Sequence, residues 1–94
     1  MNDLEMTKLC AEAMNLDVRV CEQFEYDPLH DDAQAMALVK KFCLDIECHA
    51  RNPIWTVIFD DNEHYSKVRE CPDLNRAIVE CVAKLKANHK GKIL

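Results

Sequence analysis

Four groups of residues in this chain have types and spacings that bear on chemistry. Cys43, Cys48, His49 and Cys71 include thiolate and imidazole donors, the ligand types that zinc takes. No Cys-x2-Cys pair accompanies them, and Cys48 and His49 are neighbours in a segment whose alternation predicts a strand. Adjacent strand residues point to opposite faces, so core thiols beside a surface histidine is the simpler reading. Asp60, Asp61, Glu63 and His64 crowd one turn and offer oxygen ligands to a hard cation. Their spacing fits no calcium-loop pattern, whereas acidic turns commonly arise because Asp side chains bond the nearby backbone. His30 with Asp31 and Asp32 has the composition of an acid–base pair. The same aspartates stand where a helix begins, and capping accounts for them. Trp55 and Phe59 share a strand face with Val57. That stripe lacks the basic interleaving of a base-stacking surface and reads as core beneath a helix.

Nucleophilic chemistry has little to work with. The chain contains one Ser, Ser66, and one Gly, Gly91. Phosphate-cradling loops and nucleophile elbows are therefore absent from the sequence. None of the six cysteines lies in a catalytic motif. No catalytic residue, metal ligand or cofactor-binding residue is assigned, and no cofactor is expected.

The elements that must position these groups follow from periodicity. Asn2 and Glu5 have the form of a capping box, and Met6, Leu9, Cys10, Ala13 and Met14 make a helical stripe. The first helix is expected over 3–14, with Asn15 as a left-handed stop. From Leu16 the period becomes two as far as Tyr26, which predicts a half-buried strand, with Glu22 marking a bulge or turn. Asp27-Pro28 then turns the chain into a helix capped by Asp31 or Asp32. Its apolar face is Ala35, Leu38, Val39, Phe42 and Cys43, and Lys40 and Lys41 suit its negative dipole end.

Leu44, Ile46, Cys48 and Ala50 alternate with polar residues as a second strand. Arg51-Asn52-Pro53 is a turn. Residues 54–59 are apolar on both faces and read as an interior strand. The acidic turn 60–63 leads to a short polar edge strand over 64–69. Pro72 suits the first turn of a last helix whose stripe is Leu74, Ala77, Ile78, Cys81, Val82 and Leu85. Residues 89–94 are expected to fray. The order α-β-α-β-β-(β)-α predicts an α+β fold: a small, mainly antiparallel sheet of three or four strands with helices packed on both faces.

Composition sets the outer limits. Ninety-four residues, 49% hydrophobic and 31% charged, make one compact domain over 1–94. No apolar run approaches the roughly 20 residues that span a bilayer, and the acidic start is unlike a secretory signal. A cytoplasmic location in the cell that makes it is expected, with cysteines buried and reduced; Cys10, Cys43 and Cys81 fall on apolar helical faces. The formal charge is −5, but residues 72–94 carry two acids against five bases, leaving −8 on residues 1–71. An acidic body repels nucleic acid and attracts basic protein surfaces.

That element order, with Leu9-Cys-Ala-Glu-Ala-Met14, Tyr26-Asp-Pro-Leu29, Asp32-Ala-Gln-Ala-Met-Ala-Leu-Val39 and Asp73-Leu-Asn-Arg-Ala-Ile-Val79, resembles the phage ABA-sandwich domain proteins. These are small phage and prophage proteins without an assigned chemistry. The resemblance spans nearly the whole chain and rests on packing and turn residues. A short segment between the first strand and the Asp-Pro turn departs from it. It implies a phage or prophage setting and a bacterial host, and it transfers no functional residue.

The expected function is a non-enzymatic phage accessory protein that binds a host protein with a basic surface. Its sharpest form is inhibition of a host defence complex in the manner of an anti-CRISPR protein. Asp17, Glu25, Glu47, Asp60, Asp61 and Glu63 are the candidate contact residues. The alternatives are a small-ligand or nucleotide-binding module, a nucleic-acid accessory using the basic end, and a metal-dependent enzyme. The oligomeric state is left open, a homodimer included.

Overall fold

The structure is a computed structural model and describes residues 1–16 and 26–88. Three helices flank a three-stranded antiparallel sheet, the α+β class expected from the periodicity. The elements are α1 (Asp3–Ala13), α2 (Asp32–Phe42), β1 (Asp45–His49), β2 (Ile54–Asp60), β3 (Tyr65–Cys71) and α3 (Leu74–Asn88). The strand expected over 16–26 and the frayed end at 89–94 fall almost wholly outside the described residues. No described helix is long and apolar enough to cross a membrane.

Local chemistry sets the helix ends. Asn2 Oδ1 accepts the Glu5 N–H at 2.8 Å, and its Nδ2 donates to Glu5 Oε1 at 3.2 Å. The N-cap half of a capping box is formed, and the Glu5 carboxylate bonds the Asn2 side-chain amide. Asn15, at φ 61°, ends α1 in the left-handed conformation, and the Leu16 N–H reaches back to the Ala11 carbonyl at 2.8 Å. Asp31 caps α2 by accepting the Gln34 N–H at 3.1 Å. Asp73 plays that part for α3, accepting the Arg76 N–H at 3.3 Å. The last helix therefore begins after Pro72 rather than with it. A side-chain cap at Asp73 fixes the start more firmly than the φ of a preceding proline.

The sheet order is β1-β2-β3. Ile46, Val57 and Val68 stand in register across the three strands. They make a row on the core side of the sheet, Val57 and Val68 buried and Ile46 half-buried, and Ala77, Ile78, Val79, Cys81, Val82, Ala83 and Leu85 of α3 are buried in the same core. That helix packs on β2 and β3, and α1 and α2 pack against it in turn. Arg76 Nη1 meets Asp3 Oδ1 at 2.9 Å, tying α3 to α1. Ser66 Oγ donates to the Cys81 carbonyl at 2.7 Å, and Cys81 Sγ donates back to the Ser66 carbonyl at 3.6 Å.

Two features depart from the periodicity. The third strand extends to Cys71, because Trp55 faces Cys71 while Val57 faces Val68. Arg69 and Glu70 thus both oppose Thr56, a β-bulge, with Glu70 at φ 52°. Its N–H points to Thr56 Oγ1 at 3.5 Å. The helix α2 stops at Phe42, so Cys43 is not part of its buried face. It is an exposed, left-handed C-cap at φ 52°, ψ 51°.

Left-handed backbone disfavours a residue with a Cβ by about 1–2 kcal/mol. Glu70→Gly should therefore raise unfolding stability in urea by about 0.5–1 kcal/mol, while Glu70→Ala should not. Ser66→Ala removes a buried bond between β3 and α3 and should cost about 1 kcal/mol in the same assay.

Candidate functional site

The turn between β2 and β3 gathers the densest chemistry in the described chain. Asp60 Oδ1 accepts the Asn62 N–H at 2.9 Å, with Asn62 itself left-handed at φ 74°. Asp61 Oδ1 accepts two backbone donors, the N–H of Glu63 at 3.0 Å and of His64 at 2.6 Å. Its second oxygen, Oδ2, lies 3.2 Å from His64 Nδ1. The Asp61 N–H closes the turn by donating to the His64 carbonyl at 3.2 Å. These bonds are the local reason the segment is acidic. They hold the Asp61 carboxyl below its usual 3.8, first through the His64 N–H and then through the His64 ring.

Beside this turn lies a cavity of about 360 Å³. Phe42, Phe59 and Leu85 supply its apolar surface, from the end of α2, the end of β2 and the last part of α3. The two rings meet edge to face, with centroids 6.1 Å apart and planes at 77°. Asp60, Asp61 and His64 line it from the turn, and Lys41 and Cys43 from the end of α2. A volume near the lower end of ligand pockets, mostly apolar with a few polar groups, has the general form of a binding site. A second cavity, of about 370 Å³, lies between the first turns of α2 and α3. The bond from Asn75 Nδ2 to Asp32 Oδ1 at 2.8 Å joins two of its lining residues.

The sequence candidates separate into those the fold brings together and those it does not. Asp60, Asp61 and Glu63 are exposed in one turn. Glu47 is exposed on β1 opposite Thr56, about 13 Å along the strand direction from the level of Asp60 at 3.3 Å per residue. Asp45, opposite Ile58, is the exposed acid on β1 nearer the turn, and sequence reasoning passed over it. The alternation that put Glu47 on the outward row contained that signal. Asp17 and Glu25 lie outside the described residues.

The remaining candidates have structural partners. Asp31 caps α2, Asp32 bonds Asn75, and His30 Nδ1 sits 2.8 Å from Asp27 Oδ2. Cys48 and Cys71 flank Trp55 from the two neighbouring strands, while Cys43 is at the end of α2. Among the described residues no three His, Cys, Asp or Glu side chains are grouped to hold a metal ion. The cysteines divide by environment. Cys10 and Cys81 are buried, whereas Cys43 and Cys48 are exposed, contrary to a uniformly buried set. Burial pushes the Cys81 thiol up, against a weaker downward pull from its bond to Ser66.

No protein-family model, no curated protein and no solved structure matches this chain. Function must be read from its own residues.

The Asp61 network makes an acid-limb prediction. A carboxyl whose folded pKa lies below its unfolded value stabilises fully above about pH 4 and loses that contribution as pH falls through the folded value. Asp61→Asn keeps an oxygen acceptor for the turn but cannot titrate. Urea midpoints measured from neutral to strongly acidic pH should fall less steeply for Asp61→Asn than for the parent chain.

Proposed function

We propose that the protein is a non-enzymatic binding module that engages a basic surface on a partner protein through its acidic β2–β3 turn. The observation that carries this is the joint placement of Asp60, Asp61 and Glu63, exposed at or beside the mouth of an apolar cavity. The backbone N–H of His64, and then its ring, hold the Asp61 carboxyl below its usual value. A fixed negative cluster beside desolvating apolar surface favours a cationic partner, with charge steering the encounter and apolar contact prolonging it. The hydrogen bonds of Asp61 with Glu63 and His64 organise the turn rather than leaving a base poised for proton transfer.

The resemblance to small phage proteins extends this reading to a host protein, with a bacterial defence complex as its sharpest form. The body's charge supports a protein partner over nucleic acid. Residues 1–71 carry −8 and the basic residues concentrate after residue 75.

Binding to proteins from a bacterial lysate, measured across a salt series, tests the proposal. Glu47→Lys with Glu63→Lys, combined with Asp60→Asn and Asp61→Asn so that the turn keeps its acceptors, should weaken binding about tenfold or more. Lys84→Gln with Lys86→Gln should change it little. Binding to nucleic acid that survives the acid changes, disappears with the lysine changes and falls steeply with salt would overturn the proposal.

A further inference from the structure

We propose that the cavity between the end of α2 and the β2–β3 turn receives one aromatic or long aliphatic side chain of the partner, with a lysine or arginine next to it. This rests on the reading of the turn as a binding surface for a basic protein. Two observations and one general property of protein contacts lead to it. The volume, about 360 Å³, is at the small end for a whole ligand and suits a single inserted side chain with its neighbouring backbone. The apolar surface is mainly aromatic, with Phe42 and Phe59 already edge to face at 6.1 Å beside Leu85, so a third ring can join with the same quadrupole geometry. Anchors of this kind, buried in a pocket and ringed by polar groups, carry most of the energy of protein contacts.

Charge then fixes what stands beside the anchor. The lining residues include Asp60 and Asp61 on the turn side and Lys41 at the α2 end. Glu63 adds a third exposed acid to the turn. A basic residue flanking the anchor on that side meets opposite charge, whereas an acidic one there meets like charge. The rim also supplies its own reporter. Cys43 is an exposed thiol lining the cavity, and Cys48 is an exposed thiol outside it.

The test uses the full chain and three capped tripeptides: acetyl-Lys-Phe-Arg-amide, acetyl-Lys-Ala-Arg-amide and acetyl-Glu-Phe-Glu-amide. Alkylation rates of Cys43 and Cys48 by iodoacetamide are followed by peptide mass mapping. At millimolar concentration the Lys-Phe-Arg peptide should slow Cys43 about threefold or more and leave Cys48 unchanged, because alkylation requires access to the thiol. The other two peptides should protect little. Asp61→Asn should weaken protection by the first peptide, measured as the ratio of that variant's own Cys43 rates with and without peptide. Absence of protection, equal protection by the Glu-Phe-Glu peptide, or equal slowing of Cys48 would each overturn the proposal. So would protection by phenethylamine as strong as by the tripeptide, which would make the cavity a small-molecule site. If the peptides fail while the acid changes still weaken binding to the lysate partner, the cavity assignment falls and the turn's function stands.

Discussion

The fold depends on how closely other elements approach α3. Two side chains from different elements bond its carbonyls: Ser66 of β3 reaches the Cys81 oxygen at 2.7 Å, and Cys10 of α1 reaches the Val79 oxygen at 3.4 Å. Such bonds use the second lone pair of carbonyls in the helix and require short donors. Close approach also explains the small residues Ala77, Cys81 and Ala83, all buried in α3 among its larger Ile78, Val79, Val82 and Leu85. A helix confined by the sheet and by two other helices has little room for long side chains on those lines. Interiors pack at crystal-like density, so an added methylene there would strain several contacts together.

The same arrangement gives the cavity its firmness. Its apolar surface comes from α2, β2 and α3, and α3 packs against both of the others. Cys43 and the acidic turn are the connecting parts of the lining, and the turn is cross-linked by the carboxylate of Asp61 and held by the backbone bond between Asp61 and His64. On the reading proposed above, a surface built this way would be largely pre-ordered, and less entropy would be lost when a partner docks.

Much of this was legible in the residues, and the parts that were not share a cause. The cap at Asp31, the box at Asn2 and Glu5, the stop at Asn15 and the central apolar strand depend on local chemistry, which sequence displays directly. The left-handed cap at Cys43 was misread because a thiol after an apolar stripe looks like one more core position, and glycine is the usual signal for that conformation. Glu70 gave no local sign of a bulge, since what places it there is the register between β2 and β3. The acidic turn was visible, but the cavity beside it was not. Phe42, Phe59 and Leu85 come from three separate elements, and no period in a single segment connects them. The expected strand over 16–26 lies almost entirely outside the described residues.

The contact between α1 and α3 joins the two ends of the described chain, as the Cys10–Val79 and Asp3–Arg76 bonds show. During synthesis α1 emerges before the sheet and α3 and is among the last of these elements to find its place. Its buried face, Met6, Thr7, Cys10 and Ala11, has no α3 to dock on until residues 74–88 have cleared the ribosome. Isolated helices of eleven residues are marginal in water, so α1 fluctuates through translation of the whole sheet. Native packing of the core consequently waits for α3, with a long loop to close before the distant contacts reward it. A nascent chain stalled before α3 would present the Val57–Val68 face of the sheet uncovered, the kind of surface that recruits chaperones.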